Sequence, residues 1–195
     1  MVKAEDSQLF IEASGKLGGI GSTVVSAELL PGAKAISNFY NSSDFSNKGQ
    51  IISASVNHYG KGSVTGVYFN AGLTYLDFKS HVLRDFISNR IDELFPNPLV
   101  QVTGSHLVHV AVNQINGKTL VSLMNIAGEH TNAKAIGFDE IPPLQNLSVK
   151  IATLRKPSKI ILQPEGKSLI IDFQNGISKV VVPELAIYSI LEVVK

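Results

Sequence analysis

The chain has 195 residues, of which 44% are hydrophobic and 17% charged, with a formal net charge of +1 and no cysteine. That length suffices for one large domain or two small ones, each able to bury a core. The missing cysteine excludes disulfides, thiolate metal ligands and a cysteine nucleophile.

The first residues, Met1-Val2-Lys3-Ala4-Glu5-Asp6, turn acidic where a secretory signal would turn apolar, and no apolar run approaches the ~18 residues of a membrane span. The expectation is a soluble chain with neither signal peptide nor transmembrane segment, its compartment left open. Leu9-Phe10-Ile11 and Val24-Val25 flank a glycine-rich stretch that reads as a flexible connector. Leu30-Pro31-Gly32 punctuates, and Asn38 to Gly49, rich in Asn and Ser, reads as a loop. Gln50–Asn57 and Ser63–Asn70 carry β-branched and aromatic residues around Tyr59-Gly60-Lys61-Gly62, which predicts an antiparallel hairpin. Asp77 is placed to N-cap a helix over 78–95, with Val82, Leu83, Phe86, Ile87, Ile91, Leu94 and Phe95 on one apolar face. Pro96 and Pro98 stop that helix.

Beyond the prolines the period changes to two. Val108, Val110 and Val112 alternate with His109, Ala111 and Asn113, and Asn116-Gly117 turns the chain into a strand over 119–126. Residues 139–144, with Pro142-Pro143, read as an extended loop. Further strands are predicted around Leu147–Ile151, Lys159–Leu162, Leu169–Phe173, Ser178–Val182 and Leu185–Val194, with a second hairpin turn at Asn175-Gly176. About seven short strands at this spacing imply an antiparallel β-sandwich of about 100 residues. The pattern therefore reads as mainly β, with a hairpin and a helix over 1–95 and an antiparallel β-sandwich over 96–195. Up to Phe95 there are 8 Lys/Arg against 9 Asp/Glu, and from Pro96 on 9 against 7, so neither half has the basic excess of a nucleic-acid binder.

Tyr59-Gly60-Lys61-Gly62-Ser63-Val64, the strand through Phe69, Gly72 and the helix from Phe78 resemble the closing segment of ThuA-like and class I glutamine-amidotransferase-like domains. Leu120-Val121-Ser122-Leu123-Met124-Asn125, Ile141-Pro142-Pro143-Leu144 and Val181-Val182-Pro183-Glu184-Leu185 are similar to the small sandwich at the tail of β-galactosidase-type glycoside hydrolases. The resemblance implies a carbohydrate-metabolism context and a C-terminal accessory region, with residues 1–95 a partial α/β, amidotransferase-like domain, so that the expected class is mainly β with an α/β portion. The parent family's catalytic carboxylates lie on a barrel this chain cannot contain, and the amidotransferase nucleophile is a cysteine. No catalytic residue is therefore carried over.

Candidate chemistry is sparse. Gly15-Lys16-Leu17-Gly18-Gly19-Ile20-Gly21-Ser22 could hold a phosphate on its amides, but it matches neither the Walker pattern nor a dinucleotide fingerprint. His58, Tyr59 and Lys61 put an imidazole, a phenol and an ammonium at a hairpin tip, a weak candidate for ligand binding or acid–base work. His106 and His109, three apart in a strand, point to opposite faces and cannot chelate one metal. No metal site and no cofactor are expected. Asp85, Asp92 and Glu93 sit on a surface helix and Asp139-Glu140 in a loop, where carboxylates ordinarily serve solvation.

The leading expectation is a non-catalytic structural region that packs on the catalytic domain of a larger protein or builds a homo-oligomer, with no membrane and no nucleic acid as partner. It predicts exposed apolar surface or an open sheet edge over residues 1–70. One alternative is a carbohydrate-binding module, which requires two or three coplanar exposed aromatic rings. Another is a small hydrolase or anion-binding protein using His58 and Lys61, which requires a pocket where the hairpin and the glycine-rich stretch converge.

Overall fold

In a computed structural model of the chain, residues 8–128 and 140–194 are described here. The fold is mainly β with antiparallel sheets, as the sequence predicts. The chain divides into two compact units, Met1–Pro96 and Asn97–Lys195. Among the described residues no helix is long and apolar enough to cross a membrane.

The first unit is built on a five-stranded sheet. Its strands are β1 (Leu9–Ala13), β2 (Lys16–Ile20), β3 (Ala33–Tyr40), β4 (Lys48–Tyr59) and β5 (Gly62–Val67), in the order β2-β1-β3-β4-β5. Every described pairing in this sheet is antiparallel, so its α/β portion consists of helices on an antiparallel sheet. The residues read as a glycine-rich connector form edge strand β2. Ser14 and Gly15, with φ of 53° and 72°, close a two-residue turn that pairs Ala13 with Lys16. The predicted loop over 38–49 shrinks to 41–47, because β3 runs on through Tyr40 and β4 starts at Lys48. Asp44 caps a 3₁₀ turn there, its carboxylate accepting from Ser46 N–H at 2.9 Å.

The predicted helix over 78–95 is replaced by two, α1 (Ala71–Phe78) and α2 (His81–Leu94). Asp77 therefore lies inside α1 rather than at an N-cap. The side chain that caps is that of Asn70, whose Oδ1 accepts from Leu73 N–H at 3.1 Å. Lys79, in the left-handed region with φ 50°, ends α1 and donates its backbone N–H to Tyr75 O. On α2, Val82, Leu83 and Phe86 are buried with Leu9, Ile11, Phe39 and Phe69. The Phe69 ring stands 5.6 Å from Phe39 and 5.7 Å from Phe86, so these aromatics fill the space between sheet and helix. The last turn of the apolar face stays in solvent, with Ile91, Leu94 and Phe95 all exposed.

The second unit is a sandwich of two antiparallel sheets. One contains β6 (Val100–Thr103), β9 (Leu144–Ala152), β12 (Asp172–Gln174) and β13 (Ile177–Leu185), in the order β12-β13-β9-β6. The other contains β7 (Val108–Ile115), β8 (Lys118–Asn125), β10 (Lys159–Gln163), β11 (Lys167–Ser168) and β14 (Tyr188–Val194), in the order β11-β10-β14-β8-β7. Alternate residues of both sheets form one core: Val121 and Leu123 on β8, Leu147, Val149 and Ile151 on β9, Val180 and Val182 on β13, Leu191 and Val193 on β14. Both Asn-Gly turns have positive φ at each residue, 51° and 77° at Asn116-Gly117 and 50° and 80° at Asn175-Gly176. Two predicted strands, Leu169–Phe173 and Leu185–Val194, start later than the apolar runs do, at β12 and β14, and their first residues cross between the sheets. Residues 169–171 pass from β11 to β12, and Ala186-Ile187 pass from β13 to β14. Of the loop predicted over 139–144, Asp139 lies outside the described residues.

Candidate functional site

His58, Tyr59 and Lys61 lie at the tip of the β4–β5 hairpin, where Tyr59 pairs with Gly62 and His58 with Ser63. Gly60, with φ 59°, supplies the positive dihedral that this two-residue turn needs at its first central position. The His58 Nδ1 and Ser63 Oγ atoms are 2.7 Å apart, which fixes the ring against the neighbouring strand. Tyr59 is 84% exposed, and Lys61 is exposed beside it. The three side chains stand on an open ridge rather than around a cavity. The glycine-rich residues are on β2, separated from β4 by β1 and β3. Three strand spacings of about 4.8 Å put them roughly 14 Å apart, so the two segments do not converge.

The glycines of that segment have a packing role instead. A Cβ on Gly18 would lie 2.8 Å from Val82 Cβ on α2, and one on Gly21 would lie 2.9 Å from the Phe78 ring of α1. They let both helices approach the edge of the sheet. β2 runs in extended register with β1 from Leu9↔Ile20 to Ala13↔Lys16, with alternate amides bonded to β1, a strand ladder rather than an anion cradle.

Several carboxylates are occupied in local structure. Asp85 meets Arg84 at 2.9 Å, Glu93 meets Arg90 at 2.8 Å, and Glu192 on β14 accepts from both Lys118 and Gln163. The Lys118 and Gln163 donors hold the Glu192 carboxyl below its ordinary range, and the Ser46 N–H does the same for Asp44. Among the described residues no group of three or more His, Asp or Glu side chains is placed to share a metal ion.

In the second unit an open groove of about 600 Å³ runs past Asn146, Lys167, Ile170, Asp172, Lys179 and Val181. None of its lining residues is aromatic. The rings of Phe173 and Tyr188 belong to different sheets, on β12 and β14, so they build no common stacking platform.

Sequence reasoning missed the structurally decisive polar residue, Asn125. Its side chain is buried at the end of β8, donating to Pro142 O at 3.0 Å and Ala186 O at 2.8 Å while its Oδ1 accepts from Ala127 N–H at 3.0 Å. The three segments that carry the likeness to the tail sandwich meet here: Leu120–Asn125, Ile141–Leu144 and the chain leaving Val181–Leu185. The signal was available in the alternation. Val121 and Leu123 face the core, so the next inward position, two residues on, holds an amide that must find partners.

No protein-family model and no curated protein sequence matches this chain. Solved structures do. α-L-Fucosidase isoenzyme 2 from Paenibacillus thiaminolyticus aligns with a TM-score of 0.76 at 10% identity, over 98% of this chain and 32% of that one. A catalytic mutant of Gan42B, a GH42 β-galactosidase from G. stearothermophilus, aligns with a TM-score of 0.51 at 14% identity, over 100% of this chain and 22% of that one. The β-galactosidase from Bacillus circulans sp. alkalophilus gives 0.50 at 19% identity, over 99% and 23%. The chain thus shares its fold with part of several glycoside hydrolases. It spans about a third of the fucosidase and less than a quarter of the two galactosidases.

Proposed function

We propose that this chain is a non-catalytic accessory region, C-terminal in a glycoside-hydrolase-like protein, that packs on a catalytic domain or joins copies of it. The observation that carries the reading is the fucosidase alignment, which takes in 98% of this chain but only 32% of that enzyme. The occupied carboxylates and the open ridge at His58 and Lys61 fit a scaffold rather than a reaction centre. The partner surface is motivated by exposed apolar side chains of the first unit, among them Leu30 at 76% and Val64 at 65%. The amidotransferase-like part of the reading rests on the glycine hairpin and the helices after it, as a unit pared down to that closing segment.

The test is hydrolysis of chromogenic α-L-fucosides and β-galactosides by the purified chain. The expected result is no turnover above buffer. Turnover that disappears in a His58→Ala, Lys61→Ala variant would reverse the reading in favour of a small hydrolase.

A further inference from the structure

The sheet edges of this protein are unequal. The edges β11, β12 and β6 are two, three and four residues long, too short to recruit another strand. In the first unit, edge strand β2 carries Lys16 with Gly18 and Gly19, and edge strand β5 carries Gly62 and Gly66. Among the described residues, edge strand β7 has none of these protections. It runs eight residues, Val108-His109-Val110-Ala111-Val112-Asn113-Gln114-Ile115, without Lys, Arg, Asp, Glu, Gly or Pro. Strand geometry directs alternate N–H and C=O groups away from β8 along that whole length. Val112 is 37% and Ile115 54% exposed, so the edge is also apolar.

We propose that β7 is a self-association edge at which a second copy of this chain adds its own β7, antiparallel, about a two-fold axis through Ala111. The register follows from the side chains. Centring on Ala111 sets Val110 against Val112 of the second copy on the core-facing row, with Val108 against Gln114 at its ends. On the outer face it sets His109 against Asn113, and it leaves the smallest side chain of the strand at the axis. The absence of charge is what lets the strand face itself, since any Lys or Glu near the axis would meet its own copy. The two five-stranded sheets become one of ten strands. A single strand pair stays near or below the ~1,000 Å² of a stable interface, so the dimer forms and dissociates reversibly with concentration.

The inference rests on the structural reading of the chain given above, and it names one of the two kinds of partner that reading allows. The experiment is sedimentation velocity of the full chain across micromolar to near-millimolar concentrations, with amide exchange read over 108–115. Expected are a monomer–dimer equilibrium and protection of these amides that rises with concentration. Ala111→Lys and Ala111→Glu, with unchanged circular dichroism, should each weaken the dimer at least about tenfold by placing like charges at the axis. Mixing the two variants should restore a heterodimer. A wild-type chain that stays monomeric, assemblies larger than a dimer, or a lysine variant that dimerises like the wild type would each overturn the inference. None of these results bears on glycoside turnover, which tests the accessory reading separately.

Discussion

Replacing Asn125 by alanine removes three hydrogen bonds at one buried point. It leaves the N–H of Ala127, itself 6% exposed, without the acceptor it has now. At about 0.5–1.5 kcal/mol net per bond, with a buried donor left over, the expected loss is about 2–4 kcal/mol. For a unit of about 100 residues this lowers the melting temperature by about 10–25 °C. Urea unfolding followed by circular dichroism should show a lower midpoint with an unchanged slope for the transition of the second unit. Asn125→Asp sharpens the test. It keeps an acceptor for Ala127 but turns an oxygen toward the carbonyls of Pro142 and Ala186, which raises the folded-state pKa of the new carboxyl above its ordinary ~3.9. A raised acid pKa means stability that is fully present below the unfolded value and is lost as pH climbs through the folded one. The aspartate variant should therefore approach the wild type in acid and fall away toward neutrality. A loss below about 0.5 kcal/mol in Asn125→Ala, or an aspartate variant as stable as asparagine at neutral pH, would refute the clamp.

Gly18→Ala should destabilise the first unit by about 1–3 kcal/mol, because its methyl would overlap Val82 at 2.8 Å; adding Val82→Ala should recover part of that loss in a double-mutant cycle of thermal melts. Leu123→Ala or Leu147→Ala, each removing a fully buried side chain from between the sheets, should cost the second unit about 2–5 kcal/mol in denaturant titrations. Glu192, held below its ordinary range by Lys118 and Gln163, contributes stability above its unfolded value near ~4.3 that is lost as pH falls through the depressed folded value. Glu192→Gln should flatten that part of the acid limb in a pH series of melts, and an unchanged limb would show that the pairing contributes nothing. His58→Ala and Lys61→Ala, on the exposed hairpin tip, should leave the melt within about 0.5 kcal/mol of the wild type.

Period and turn chemistry made the second unit largely legible. Alternation located β7, β8 and β9, and the two Asn-Gly pairs supplied the positive dihedrals that two-residue hairpins need. What escaped was wherever an apolar run does not stop at the end of its strand. Residues 169–171 and 186–187 are apolar yet step between sheets, and Ile170 and Ile187 are 93% and 61% exposed in doing so. Nothing in their composition marks a turn. β6, four residues between Pro98 and Gly104, is too short to show a period. In the first unit, glycines read as a linker because propensity says nothing of a helix lying on the strand, and that helix is where Gly18 and Gly21 acquire their reason. Asp77 looked like a cap because an acidic residue preceded an apolar face. The preceding turn was already helical, and a lysine in the left-handed region broke it, a role composition assigns to glycine. At the candidate site, His58, Tyr59 and Lys61 are neighbours in the sequence itself, but only the sheet order shows that the glycine-rich strand is far from them.

The position of β14 has a consequence for how the protein is made. It follows every other strand in sequence, yet it lies between β10 and β8 in the middle of its sheet. While a ribosome is still adding residues before 188, β8 and β10 exist without the neighbour that joins them, and Asn125 waits for the carbonyl of Ala186. The hairpin of β7 and β8 can form early, since it closes over two residues. The sandwich as a whole can close only after its final strand has cleared the exit tunnel. Until then the nascent chain presents an unfilled slot between β10 and β8, which its own tethered strand fills once it emerges.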